Sequence, residues 1–248
     1  MVDSLGYRRK FGVIAPSTNT SVQPEFDSMR PVGVTNHFSR IVIPNDPVRS
    51  DEDFSLLMVN IRKTLMAAVD AVMTCSPDAL IMGMSAETFW DGKEGSDVLK
   101  ARIEEHAGTT VAMGSDACQA ALRKYGDIKR ISVITPYMPV GDEQVVRFFN
   151  DCGFEVVALK GLKCAGPELI AHVSEKELRD SINEVNDPSV EAIVQVGTNL
   201  AMARVAGIAE FWLDKPVLAI NTATYWHALR TNGIEDKVQG FGSLLTDY

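Results

Sequence analysis

Short apolar runs alternate along this chain with longer stretches whose apolar residues recur at helical spacing. Compact apolar runs bounded by turn-forming residues predict strands, and a 3.6-residue period predicts helices. Strands are predicted over 11–15, 37–43, 79–83 and 110–113, and again over 131–135, 155–159, 192–196 and 217–220. The central runs are nearly all apolar instead of alternating, which predicts parallel sheets covered by helices on both faces. Helices are predicted over 51–74, 96–106, 117–125, 174–186 and 224–231. The first begins on Asp51, Glu52 and Asp53, acids that suit the positive end of a helix dipole. Ser174 with Glu177 reads as a capping box, and Asp187-Pro188 as the stop that follows. Gly108, Gly126 and Gly233 sit where helix C-caps are needed.

The pattern also repeats. Residues 11–17 (FGVIAPS) return as 131–137 (ISVITPY), and 80–85 (LIMGMS) as 194–199 (VQVGTN). Residues 112–126 (AMGSDACQAALRKYG) return as 219–233 (AINTATYWHALRTNG). The offsets shrink from 120 to 114 to 107 residues, as loop shortening after a duplication would produce. The expected fold is α/β, with two pseudo-symmetric Rossmann-like lobes of four parallel strands and the active site in the cleft between them. Lobes are expected over 1–127 and 128–248, with a C-terminal segment able to cross back onto the first. Facing halves would bring six polar strand ends around one cleft.

Composition narrows the partners. A net charge of −9 argues against nucleic acid and anionic membrane surfaces, while a local pocket can still accept a small anion. No apolar run approaches membrane-spanning length; the best, around 65–73, is interrupted by Asp70. Arg8, Arg9 and Lys10 precede no apolar stretch of the signal-peptide kind. Cys75, Cys118, Cys152 and Cys164 form no CxxC and no His/Cys metal spacing, so neither a disulfide framework nor a metal is expected, and the expected location is the cytoplasm.

Ligands of open α/β sheets bind beyond the carboxyl ends of the strands. Here those loops are rich in hydroxyls and amides: Ser17, Thr18, Asn19, Thr20 and Ser21, then Ser85, Ser115, Thr135, Tyr137, Thr198, Asn199, Asn221, Thr222 and Thr224. Several precede helices, whose N-terminal N–H groups favour an anion. Neither GxGxxG nor GxxxxGK[ST] occurs, which favours a carboxylate over a nucleotide. Each Ser, Thr or Asn taken alone is equally readable as a helix N-cap. Glu87 is the only carboxylate just past a repeated central strand, a general base if buried and otherwise a helix-terminal acid. His37, His106 and His172 lie away from the strand ends; His227, beside Trp226, reads as core. Trp90, Tyr225 and Trp226 fit either a pocket wall or core packing.

Residues 13–20 (VIAPSTNT) with Pro24-Glu25 resemble the opening of maleate cis–trans isomerases. These belong to the aspartate/glutamate racemase superfamily, with arylmalonate decarboxylases and hydantoin racemases. Residues 135–138 (TPYM), Gly83-Met84-Ser85 followed by 89–92 (FWDG), and 240–243 (GFGS) fit the same pattern, over nearly the whole chain. The resemblance implies a cofactor-independent enzyme on a small carboxylic acid, an isomerase or decarboxylase, assembled as a homodimer or homotetramer. It makes Ser17, Asn19, Thr198 and Asn199 carboxylate ligands. Tyr137 matches the family's tyrosine, which binds carboxylate or stabilises an enediolate or oxyanion. With Ser85 and Glu87, Tyr137 and Thr198 are the catalytic candidates, and Ser85 also a substrate-binding one.

One departure is decisive. The family places a cysteine at the end of each repeated central strand, where a thiolate serves as base or nucleophile. The matching positions here are Met84, beside Ser85, and Thr198, beside Gly197. Two-cysteine racemisation and covalent cysteinyl addition both lose their key group, and none of the four cysteines is placed to substitute. Around 166–168 (GPE) the asparagine of maleate isomerases is also missing, which weakens the case for a second carboxylate. Open readings are therefore an isomerase or decarboxylase acting through hydroxyls and amides, a hydrolase or lyase using Glu87 and water, and a non-catalytic small-acid binder.

Overall fold

A computed structural model of the protein describes residues 3–248. The first half folds as β1 (Arg9–Pro16), α1 (Val22–Met29), β2 (Val34–Ile41), α2 (Asp51–Met73), β3 (Ala79–Met82), α3 (Gly92–Ala107), β4 (Val111–Ala112) and α4 (Gly114–Tyr125). The second repeats the series as β5 (Arg130–Thr135), α5 (Pro139–Asp151), β6 (Glu155–Gly161), α6 (Glu175–Val185), β7 (Ala192–Gln195), α7 (Ala203–Leu213), β8 (Val217–Ala219) and α8 (Ile220–Thr231), then adds α9 (Ser243–Asp247). Each half builds one parallel sheet, ordered β2-β1-β3-β4 and β6-β5-β7-β8. The eight expected strands are all present, and β3 and β7 are buried along their whole length, as continuous apolar runs require. β2 starts three residues earlier than its apolar run because its ladder with β1 begins at Arg9 and Val34.

The cap predicted at Ser174 forms, its Oγ accepting the Glu177 N–H at 3.2 Å to open α6. α2 is opened by a cap that was not predicted, Ser50 Oγ accepting the Asp53 N–H at 3.2 Å, and α8 ends on Asn232, one residue before the expected Gly233. Four helices were not singled out by periodicity: α1, α5, α7 and α9. α1 buries only Val22, Phe26 and Met29 and carries Pro24 in its first turn, where a missing N–H costs nothing.

Strand order decides where a site can form. In a 2-1-3-4 sheet, connections leave in opposite directions between the first and third strands, opening a crevice at their carboxyl ends. The switch points are β1/β3 and β5/β7. The edge strands β4 and β8 lead directly into α4 and α8, which pack against each other across the molecule. Gly114 permits that approach: a Cβ there would lie 2.6 Å from Ile220 Cδ1. α8 also buries Tyr225 against Phe26 of the first half, ring centroids 4.9 Å apart, and the Arg8 guanidinium pairs with Asp236.

Candidate functional site

The crevice at the two switch points is a small cavity with about 60 Å³ of free space, room for a few water molecules. Its polar lining comes from four loops. Thr18 and Asn19 follow β1, Ser85 follows β3, Tyr137 follows β5, and Thr198 and Asn199 follow β7. The expected six strand ends are thus four, since Ser115 bonds Ser96 Oγ at 2.8 Å and Thr224 bonds the Ile220 carbonyl at 2.7 Å, within their own surroundings. The rest of the wall is apolar: Phe54, Leu57, Met58 and Ile61 of α2, with Ile43, Met84 and Ile170. No Lys, Arg, His, Asp, Glu or Cys is among the lining residues.

Ser85 is the hub. Its Oγ lies 2.7 Å from the Tyr137 hydroxyl and accepts the Thr198 N–H at 3.1 Å. The Thr198 hydroxyl donates to the Gly83 carbonyl at 3.1 Å and accepts from Asn19 Nδ2 at 3.0 Å. Residues from both sheets therefore share one buried network. Burial drives the Tyr137 phenol pKa well above its usual value, opposed by the Ser85 hydrogen bond, so it stays protonated and able to donate. Gly197, beside Thr198, holds φ +111°, and a Cβ there would lie 2.5 Å from Pro136 Cδ, so this turn excludes side chains.

Both asparagines serve as connectors. Asn19 Oδ1 accepts the Ser21 and Val22 N–H groups at 3.0 and 2.9 Å, capping α1. Asn199 Oδ1 accepts from the Thr20 and Ser21 N–H groups at 2.9 and 3.2 Å, while its Nδ2 donates to the Pro167 carbonyl at 2.9 Å. Asn199 thereby ties the loop after β1 to the second half and to the segment after β6. Beside the cavity, the Val48 N–H donates to the Ala165 carbonyl at 2.9 Å and Asn45 Nδ2 to Glu168 at 3.1 Å, closing the loops after β2 and β6 on each other.

Two expected site residues lie elsewhere. Ser17 is exposed, and its Oγ exchanges hydrogen bonds with the Ile43 backbone at 3.2 and 3.1 Å, fixing the loop to the end of β2. Glu87 sits in a 3-10 turn (Ala86–Phe89) that rotates it away from the cavity, and its Oε1 accepts from Arg62 Nε at 2.6 Å. It lines a separate hollow with Arg62, Trp90 and Arg102. Burial raises its pKa, opposed by Arg62. Its carboxylate is therefore not part of the cavity wall, which leaves the hydrolase or lyase reading built on Glu87 without support from the lining.

None of the four cysteines lines the cavity. Cys118 is buried in α4 with its thiol pushed up to about 12 by desolvation, and burial also raises Cys152 and Cys164 to about 11. Cys75 is exposed at the end of α2. Among the described residues, no group of three His, Cys, Asp or Glu side chains is disposed to hold a metal ion. Among the same residues, no helix is long and apolar enough to cross a membrane.

The family model for arylmalonate decarboxylase matches residues 58–245, which hold β3 and β4 of the first sheet, the whole second sheet and three of the four loops of the cavity. The chain belongs to the arylmalonate decarboxylase family. This is a family of enzymes on small carboxylic acids, and the two-lobed fold agrees with it. The maleate isomerase of Alcaligenes faecalis is 22% identical, covering 96% of each chain. A mutant of Nocardia farcinica maleate cis–trans isomerase with a covalently bound succinylcysteine intermediate superposes with a TM-score of 0.84 at 21% identity, over 97% of this chain and 99% of that one. A liganded double mutant of arylmalonate decarboxylase gives 0.80 at 18% identity, over 97% and 100%. At these identities the structures establish the fold.

Sequence reasoning missed the α2 wall. Phe54, Met58 and Ile61 have the spacing of an ordinary core stripe, and nothing local distinguishes a helix facing a cavity from one facing a sheet. It listed Asn221 among the polar strand ends and Glu25 within the family resemblance, but did not pair them. Asn221 Nδ2 donates to both the Thr198 carbonyl, at 2.9 Å, and Glu25 Oε2, at 2.6 Å.

Proposed function

We propose that this protein decarboxylates a small malonate-type acid bearing an apolar substituent, through an enediolate protonated from the Ser85 hydroxyl. The carrying observation is that the Tyr137 hydroxyl and the Thr198 N–H both meet Ser85 Oγ in a cavity whose lining contains neither thiol nor ionisable base. Family reactions differ in what they demand. Racemisation needs a base to remove a proton, and covalent isomerisation needs a nucleophile. Decarboxylation needs neither, because the electron pair comes from the breaking C–C bond.

The apolar wall from α2 favours loss of carboxylate charge as CO₂, and the loops after β2 and β6 that close over the cavity part to admit the substituent, since the free space of about 60 Å³ holds only a few waters. The Thr18 hydroxyl and the second hydrogen of Asn19 Nδ2 serve the retained carboxylate, while both hydrogens of Asn199 Nδ2 stay on backbone carbonyls. The phenol is the stronger acid of the Tyr137–Ser85 pair and donates to Ser85, leaving the serine hydrogen free to move to the carbanionic carbon. The resulting alkoxide keeps the Tyr137 O–H and Thr198 N–H as donors, the arrangement of an oxyanion hole. Water returns the proton. The only bond broken in the substrate is C–C, and no redox partner or cofactor enters. A homodimer or homotetramer in the cytoplasm belongs to the same reading. It is supported by the exposed Ile208, Phe211 and Trp212 on α7 and is checked by light scattering.

The test is incubation of the purified protein with phenylmalonate and, separately, maleate. Release of CO₂ with phenylacetate formation, and no fumarate from maleate, is expected. Fumarate formation at a comparable rate, or binding of phenylmalonate without turnover, would overturn the proposal.

A further inference from the structure

Glu25 belongs to no cavity wall, yet it joins three elements. It sits in the first turn of α1, half-buried as a residue, with its carboxylate enclosed between α7 and α8. Oε1 accepts the Ala203 N–H, at the start of α7, at 3.0 Å, and Oε2 accepts from Asn221 Nδ2 at 2.6 Å. The same Asn221 nitrogen donates its other hydrogen to the Thr198 carbonyl at 2.9 Å. Both Asn221 partners are acceptors, so the amide is held in one orientation; flipped, its oxygen would face a carboxylate and a carbonyl. The Thr198 carbonyl and N–H flank the same residue, and that N–H is one of the two donors on Ser85 Oγ.

We propose that Glu25 is a positioning residue that acts through Asn221: as a carboxylate it locks the amide, which fixes the Thr198 residue and so aims its N–H at Ser85. This rests on the decarboxylase reading only for its effect on turnover. Replacing one acceptor oxygen by a donor frees Asn221 to rotate and lets Thr198 turn away from Ser85.

The surroundings make the lock pH-sensitive. Desolvation raises the Glu25 pKa to about 7, opposed by the Asn221 and Ala203 hydrogen bonds and by Arg204. Other charges on the packed elements are engaged elsewhere. On β2, Arg40 bonds the Gln23 side chain, and Asp27 of α1 accepts from Asn36. On α8, Arg230 bonds the Tyr248 and Ile234 carbonyls, and the charges acting on His227 are Asp116 and Lys100.

The experiment follows backbone amide resonances by ¹⁵N NMR from pH 5.5 to 8.5, with no ligand present. In the wild type, the Ala203 amide reports Glu25 directly and the Thr198 amide reports it through Asn221; both are expected to titrate together near pH 7. In Glu25→Gln both become flat. In Asn221→Ala, Ala203 still titrates and Thr198 does not. A Thr198 resonance that is flat in the wild type, or that titrates unchanged in Asn221→Ala, would overturn the relay. Should Glu25→Gln fail to fold, the wild type and Asn221→Ala decide alone. In parallel, kcat/KM for phenylmalonate should rise about tenfold from pH 6 to 8 in the wild type and stay flat in Glu25→Gln, as a single ionisation near 7 requires. Absence of phenylmalonate turnover with an intact NMR relay would fault the decarboxylase reading and leave the positioning role standing.

Discussion

Replacing Tyr137 by Phe separates catalysis from architecture at the hub of the cavity. The substitution deletes one oxygen, 2.7 Å from Ser85 Oγ, and keeps a ring packed against Phe54 at 5.2 Å between centroids. Ser85 Oγ retains the Thr198 N–H, so no buried acceptor is orphaned. The lost hydrogen bond then costs about 1 kcal/mol of stability. For a chain of this size that is a fall in Tm of about 2–4 °C. Under the proposed reaction the transition state is affected much more, because there the phenol is one of two donors to the oxygen that becomes anionic. Removing one oxyanion donor lowers kcat by about 10²–10³, or about 3–4 kcal/mol. The assay pairs phenylmalonate decarboxylation rates with thermal unfolding of the same samples. A variant that keeps kcat within about threefold of wild type, with the Tm fall just given, would refute the role of Tyr137 as oxyanion donor.

Other expectations are independent of this one. Asn199→Ala removes a side chain that bonds the Thr20 and Ser21 N–H groups and the Pro167 carbonyl, and should lower stability by about 2–3 kcal/mol in denaturant titrations. Glu87→Gln leaves the cavity untouched and should keep turnover within about twofold of wild type while weakening the Arg62 pair; loss of turnover would return Glu87 to the mechanism. Asp142, which accepts from Thr135 Oγ1, has its pKa raised to about 6 by desolvation. Because the folded-state value lies above the unfolded one, its stabilising contribution is complete below about 4 and lost as pH rises through about 6. Asp142→Asn should flatten the stability profile in that window by an amount on the order of 2 kcal/mol, read from unfolding midpoints against pH.

The duplicated fold was legible in the chain because its signals are local. A continuous apolar run such as 79–82 or 192–194 marks a buried parallel strand wherever it lies, and Ser174 and Gly108 punctuate helices through bonds to near neighbours. The absence of a thiol at Met84 and Thr198 was equally a matter of sequence. Which polar strand ends converge was not. Ser85, Tyr137 and Thr198 meet across separations of 52 and 113 residues, and Ser17 and Glu87, drawn from the same kind of loop, turn instead to Ile43 and Arg62. Side-chain direction beyond a strand depends on how the loop leaves the sheet and on what the opposite half presents. Composition and spacing therefore determined that two matching sheets would face a cleft lined with hydroxyls. Only tertiary structure decided that four loops form it, that α2 makes it apolar, and that one serine collects its donors.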